Sequence, residues 1–315
     1  MRYAVRTTAI AATALLAGAA VSTPSADATF RGRPGRIVLA QVAQSSTGPD
    51  TSDIYTVRPD GTKRTRLTTS GTASAPVWSQ SGKRIAYLDS GAVMVMNSFG
   101  RNQHAVVTTG YTSSVGWSAD GRKLVLVSDR GQHDQIYVYN LRTHRTTQVT
   151  TPGKVNAVAQ GAVWSPRGGT IAFVRDTGGQ SDIYTVRPDG SALTQLTNTP
   201  DVSEMEPDWS PDASRLVYYR YAGTGASDGC FGDGIFWTGL STRTTHKVVD
   251  TACSDLSPRW SPDGRRILWQ VLRGGDAGSR ANGAGLFTVR ATGKDVRTVL
   301  GGANRWFQPD WQSLH

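Results

Sequence analysis

The chemistry on offer in this sequence is mainly that of carboxylates. Glu204, Glu206 and Asp255 lie just before segments that read as strands. Two carboxyl groups flanking a sugar linkage are the minimum set for acid and base catalysis. The plainer reading makes the same groups solvated charges, or partners of Arg280 and Arg305, and it is the one the sequence favours. Gly225-Ala226-Ser227-Asp228-Gly229 matches the G-x-S-x-G elbow of hydrolases. That elbow needs a strand before it, a helix after it and a histidine downstream. Here it sits in a Gly-rich run with only His246 and His315 following, so the match is one of composition. The remaining histidines, His104, His133 and His144, form no pair at metal-ligand spacing. Neither a D-x-D-x-D-G calcium loop nor a G-x-x-x-x-G-K phosphate loop occurs. The residues therefore imply no catalytic set, no metal and no cofactor.

The elements that must position these groups form a repeat. Trp-Ser recurs at Trp78, Trp117, Trp164, Trp209 and Trp260, and a sixth Trp, Trp311, lies near the C-terminus. The spacings are 39, 47, 45, 51 and 51 residues. Each Trp-Ser leads into a tight turn such as Pro262-Asp263-Gly264, then an alternating apolar strand such as Ile267-Leu268-Trp269. A third strand follows, for example Asp53-Ile54-Tyr55-Thr56-Val57 or Asp182-Ile183-Tyr184-Thr185-Val186, and then a second turn and a fourth strand. Four short strands at a period of about 40–50 residues is the pattern of a propeller blade. The chain opens on a second-type strand, Ile37-Val38-Leu39, and closes on a first-type strand, Pro309-Asp310-Trp311. The two ends must complete one blade. The expected fold is all-β, a six-bladed β-propeller closed by pairing the C-terminal strand with the N-terminal blade.

The run P-x-W-S-P-D-G followed by D-I-Y-x-V-x-x-D-G resembles the repeat of TolB-like propellers (the WD40-like PD40 repeat). It is carried best by Arg259-Trp260-Ser261-Pro262-Asp263-Gly264 and by the two copies of Asp-Ile-Tyr-Thr-Val-Arg-Pro-Asp-Gly at 53–61 and 182–190. The resemblance spans nearly all of residues 31–315 and implies the fold rather than an activity. The same repeat serves periplasmic scaffolds, peptidase propellers and carbohydrate-active enzymes. TolB carries an α/β domain before its propeller for which this chain has no room, so binding-scaffold behaviour is what the resemblance implies.

Residues 1–28 read as a secretory signal peptide: Arg2 and Arg6, an apolar run from Ala9 to Val21, and Ala26-Asp27-Ala28 as a cleavage pattern. The run is shorter than the roughly 20 residues a membrane span needs. The chain from residue 29 is expected to be one domain, extracytoplasmic and monomeric. The formal charge of +10 falls to +9 without the leader. A basic balance allows attraction to polyanions, but export argues against nucleic acid as a partner.

The topology of a blade sorts its loops. The second-to-third links and the blade-to-blade links share one face, the loop face; the other turns share the opposite, turn face. The long insertions 222–234 and 273–285 fall on the loop face with Glu204, Glu206, Asp255, Arg280, Arg305, Trp306 and Phe307. The turn face collects Lys63, Arg64, Lys83, Arg142, Arg145 and Arg243 among others, and is expected to be basic. The expected function is a secreted, non-catalytic scaffold that binds a protein, peptide or cell-envelope glycan on the loop face through Glu204, Glu206, Asp255, Arg280, Arg305, Trp306 and Phe307. The alternative is a secreted carbohydrate-active hydrolase or lyase using carboxylates at the channel mouth. A propeller detached from a prolyl-oligopeptidase-like peptidase is a third reading, with no hydrolase domain in this chain to support it.

Cys230 and Cys253 are the two cysteines, and both fall on the loop face. In an exported chain they are expected to form a disulfide. It would close a loop of about 24 residues and contribute about 3 kcal/mol on the chain-entropy model. Thiol labelling of the unfolded, unreduced protein is expected to find no free cysteine; two labelled thiols would remove the bridge.

Overall fold

The structure is a computed structural model. It describes residues 32–45, 47–130, 133–151, 158–176, 178–221, 234–250, 254–272, 285–301 and 305–315. Within these residues the chain forms six four-stranded antiparallel sheets. Blade one contains β1 (Arg33–Ala43), β2 (Thr51–Val57) and β3 (Thr65–Arg66). Blade two runs β4 (Ala73–Trp78), β5 (Arg84–Asp89), β6 (Ala92–Asn97) and β7 (His104–Val107). Blade three is β8 (Thr112–Trp117), β9 (Lys123–Ser128), β10 (Gln135–Asn140) and β11 (Arg145–Gln148). Blade four is β12 (Val158–Trp164), β13 (Ile171–Asp176), β14 (Ser181–Val186) and β15 (Thr194–Gln195). Blade five is β16 (Ser203–Trp209), β17 (Arg215–Tyr221), β18 (Gly234–Gly239) and β19 (Thr245–Val249). Blade six is β20 (Ser254–Trp260), β21 (Arg266–Leu272), β22 (Gly285–Arg290) and β23 (Arg297–Gly301). The last strand, β24 (Arg305–Leu314), returns to blade one as its inner strand, in the order β24-β1-β2-β3.

That closure is a long antiparallel ladder. Arg33 pairs with Leu314, Ile37 with Trp311, and Val42 with Arg305. It removes the edge that an open sheet would present to other chains.

The repeat has a local physical cause. In the turns after Trp78, Trp117, Trp209 and Trp260, the Ser hydroxyl accepts the N–H five residues on, as in Arg84 to Ser79 at 3.1 Å, Arg215 to Ser210 at 2.9 Å and Arg266 to Ser261 at 2.8 Å. The same hydroxyl donates to the Asp two residues on, as in Ser261 to Asp263 at 2.6 Å. The turn then needs a residue in the left-handed region, supplied by Gly82, Gly121 and Gly264 at φ 63–70°. Trp-Ser-x-Asp-Gly is thus a self-contained turn that starts the second strand in register.

The Trp itself joins blades. Trp78 packs with Val38, Ala40 and Ile54 of blade one. Trp260 packs with Val217, Tyr219 and Ile235 of blade five, and Trp311 with Leu268, Leu286 and Val299 of blade six. All six indoles are at most 5% exposed. Trp117 and Trp209 also donate their indole N–H to backbone carbonyls of the preceding blade, at Val77 and Val163, over 3.2 and 3.3 Å. Each indole removes about 200 Å² from water. At about 25 cal/mol per Å² this is at most about 5 kcal/mol per blade boundary.

Two variants test the closure. Deleting residues 305–315 is expected to abolish cooperative thermal unfolding. Trp311→Ala is expected to cost about 3–5 kcal/mol in denaturant unfolding, the range for a large aromatic removed from a core. Wild-type stability in the deletion would overturn the sealed ring.

Candidate functional site

The inner strands β24, β4, β8, β12, β16 and β20 surround the axis, and each is irregular near its Trp. Three positions before the Trp stand Ala75, Gly161, Glu206, Ser257 and Gln308, all at positive φ between 46° and 53°. Blade three places Ser114 there. Pairing with the second strand shifts register at the five positive-φ positions, as between Met205 and Asp208 or between Leu256 and Arg259, and in blade three between Thr112 and Ser114. These are bulges, which re-aim a side chain at a local conformational cost. The re-aimed groups reach the next blade. Gln308 accepts the Ala75 N–H at 2.7 Å. Glu206 accepts from both the hydroxyl and the backbone N–H of Ser257.

One residue before the Trp, the ring is divided. Blades two, three and four carry Val77, Gly116 and Val163; blades five, six and one carry Asp208, Arg259 and Asp310. Asp208 accepts the Trp260 N–H at 2.7 Å, and Asp310 accepts the Trp78 N–H at 2.6 Å. Arg259, fully buried between them in the blade order, donates to the Pro258 carbonyl at 2.8 Å. Burial pushes the Glu206 carboxyl up to about 7, against the opposing pull of Arg259 and Ser257. Burial likewise raises Asp310 to about 6, against the Trp78 amide and Arg259. One half of the axis is therefore buried and ionisable, and the other is small and mostly apolar.

A second acidic group lies between blades four and five, toward the loop face. Burial raises the carboxyls of both Asp182 and Glu204, Glu204 to about 7, and the charge of Asp182 pushes Glu204 the same way. Arg220, paired across from Glu204, brings Nε to 3.4 Å from its carboxylate. Gln195 donates to Asp182 at 3.1 Å. The first copy of the same sequence motif is instructive. There Asp53 is met by the guanidinium of Arg66 at 2.5 Å and by the Thr68 hydroxyl at 2.8 Å. Gln195 stands where Arg66 stands, so Asp182 loses a cation and faces a second carboxyl. A like charge nearby disfavours the ionised form of a carboxyl.

The residues expected at the site are distributed as follows. Glu204, Glu206 and Asp255 sit inside β16 and β20 rather than before them, and all are buried. The Trp269 indole donates to Asp255 at 2.8 Å. Phe307 is half-buried and packs at the boundary of blades one and two. Arg305 and Trp306 are placed in β24 by pairing with Val42 and Gln41. Arg280, Cys230 and Cys253 lie outside the described residues, as do residues 1–28. Among the described residues, no three His, Cys, Asp or Glu side chains are grouped to hold a metal. Sequence reasoning missed Asp208, Arg259, Asp310 and Asp182. The signal for the first three was present: charges in the position before Trp in three consecutive blades.

With this geometry in view, the relatives can be placed. The family model of the dipeptidyl peptidase IV (DPP IV) N-terminal region matches residues 118–226. An uncharacterized protein of Agrobacterium fabrum is 26% identical over 71% of this chain and 75% of its own length. The Tol-Pal system protein TolB of Anaeromyxobacter dehalogenans is 32% identical over 30% of this chain, a match that spans 21% of TolB. Among solved structures, TolB from Acinetobacter baumannii superposes with TM-score 0.71 at 18% identity, covering 89% of this chain and 67% of that one. An oligogalacturonate lyase solved in complex with manganese superposes with TM-score 0.56 at 15% identity, covering 86% and 87%. The fold and repeat define a TolB-like six-bladed β-propeller.

The raised carboxyls make stability depend on pH. Glu206 holds its proton more tightly folded than unfolded, so the native state binds more protons between pH 4.5 and about 7. Stability then falls as pH rises through that window. The melting temperature is expected to be higher at about pH 5 than at about pH 8, and Glu206→Gln is expected to remove part of that slope. An unchanged slope in the variant would show that Glu206 does not titrate there.

Proposed function

We propose that the chain is an extracytoplasmic, non-catalytic scaffold that binds a protein, peptide or cell-envelope glycan on its loop face. The observation that carries this reading is where the acids are spent. Asp208 and Asp310 brace neighbouring blades through backbone N–H groups, and Asp255 is held by Trp269. The likeness to TolB and the leader-like residues 1–28 support a place outside the cytoplasm. No helix among the described residues is long and apolar enough to cross a membrane. The contact patch of this reading contains Tyr111, 49% exposed in the link from blade two to blade three, with Phe307, Arg305, Trp306 and Arg280.

The carbohydrate-active reading draws on the fold likeness to oligogalacturonate lyase, which at 15% identity is a likeness of fold. Incubation with polygalacturonate, with and without manganese, separates the two readings. No unsaturated product is expected from the wild type, and its appearance would favour the lyase.

Binding is tested with the chain from residue 29 immobilised against a cell-envelope extract and a glycan array. A retained partner is expected, weakened about tenfold by Tyr111→Ala or Phe307→Ala, as for interface aromatics. Equal retention by both variants would sink the proposed patch, and no retention at all would sink the scaffold reading.

A further inference from the structure

The turn face carries a second surface, opposite the one proposed above. Its two sets of turns form one layer. Ser98 donates its N–H to the Lys83 carbonyl at 2.9 Å, Leu141 to Arg122 at 3.0 Å, and Ala291 to Arg265 at 3.1 Å. Each bond ties a third-to-fourth turn to the first-to-second turn of its own blade.

The described residues include five exposed large hydrophobic side chains, and four are on this face: Leu314, 42% exposed at the end of β24, and one in each of three turns. Phe99 is 80% exposed, and Leu193 and Val296 are each 47% exposed. They occupy the third-to-fourth turns of blades two, four and six, so they alternate around the ring. The same turns in blades one, three and five present exposed Lys63 and Arg64, Arg142 and Arg145, and Arg243. Each apolar tip also has an exposed cation close by in sequence: Arg101 beside Phe99, Arg187 in the turn of Leu193, Lys294 beside Val296.

The acids of this face are turned into their own turns. Asp60 accepts from Thr62, Asp189 from Ser191 and Asp263 from Ser261. Asp295 is held by Arg266 and Arg297. They fix turn shape and leave the basic side chains as the outer layer.

From this arrangement we propose that the turn face docks on an anionic lipid bilayer, with Phe99, Leu193 and Val296 entering the headgroup boundary and the intervening Arg and Lys side chains engaging lipid phosphates. Isolated exposed apolar residues are ordinary on protein surfaces. Three at alternate turns of one basic face are a different matter, because three points around an axis can rest together on a plane. A linear polyanion in solution would need a track of cations and would gain nothing from the apolar tips. A bilayer uses both: apolar insertion and electrostatic attraction add at its interface. Arg predominates, with 28 Arg to 6 Lys in the whole chain, and its forked donors suit phosphate. Docked this way, the ring turns its loop face away from the bilayer and leaves it open to a partner.

The test is co-sedimentation of the chain from residue 29 with phosphatidylcholine vesicles containing about 30 mol% phosphatidylglycerol, against pure phosphatidylcholine. The wild type is expected to bind the anionic vesicles at least about tenfold more tightly. The triple variant Phe99→Ser, Leu193→Ser, Val296→Ser, whose side chains are largely in solvent, is expected to keep its melting temperature and lose about tenfold in vesicle affinity. It is expected to bind soluble polyphosphate as the wild type does, because its cations are intact. Phe99→Ser alone is expected to give a partial loss. Vesicle binding unaffected by the triple variant would overturn the proposal and leave a general attraction to polyanions. Equal binding to neutral vesicles, or none to either, would overturn it too. Loop-face binding is read independently, with Tyr111→Ala, so failure of one surface leaves the other standing.

Discussion

A blade of four strands has two apolar faces and no means of covering either. That constraint governs the rest of the molecule. Each sheet must be capped by the next, and the cap is the Trp of the inner strand, driven into the face of the preceding blade. The first and last blades would remain uncovered in an open arc. The chain resolves this by lending its final strand to its first sheet, so that Trp311 seals the boundary of blade six as Trp78 seals that of blade one. Hydrophobic burial supplies the energy, and the β24–β1 ladder supplies the geometry that lets all six boundaries exist at once.

Closure brings the inner strands close together at the axis, where polar groups must be satisfied without water. The bulges answer this need. By placing Glu206 and Gln308 in left-handed conformations, the chain swings their side chains across to the next blade. Asp208 and Asp310 do the same for the backbone N–H groups of Trp260 and Trp78. The cost is a set of carboxyls held away from water, with proton affinities raised to match. Blades two, three and four avoid that cost with Ala75, Ser114 and Gly161, side chains too small to reach across. The ring is thus symmetric in backbone and divided in chemistry.

The two flat faces carry different chemistry as well. The loop face has links long enough to vary, and the described part presents Tyr111 and the edge of Phe307. The turn face is built from short turns whose Asp residues are consumed by local bonds, which leaves its Arg and Lys side chains and three apolar tips facing outward. A molecule made this way can hold one surface with its base and present another with its top.

Much of this was legible in the residues. The Trp period, the Trp-Ser-x-Asp-Gly turn and the split between the chain ends are local or periodic signals, and local hydrogen bonds such as Arg266 to Ser261 enforce them wherever they occur. The sorting of loops onto two faces follows from strand direction alone. The burial of Glu204, Glu206 and Asp255 was not legible. A carboxylate next to a strand looks the same in sequence whether it meets solvent or a neighbouring blade, and the blade that covers it lies far away in the chain. The nearness of Asp182 to Glu204, and the alternation of Phe99, Leu193 and Val296 around the base, likewise depend on residues far apart in the chain. The amino-acid order determined the blade, because each turn and strand is stabilised by near neighbours. The tertiary structure decided which charges are buried and which side chains share a surface, because those are properties of contacts made between blades.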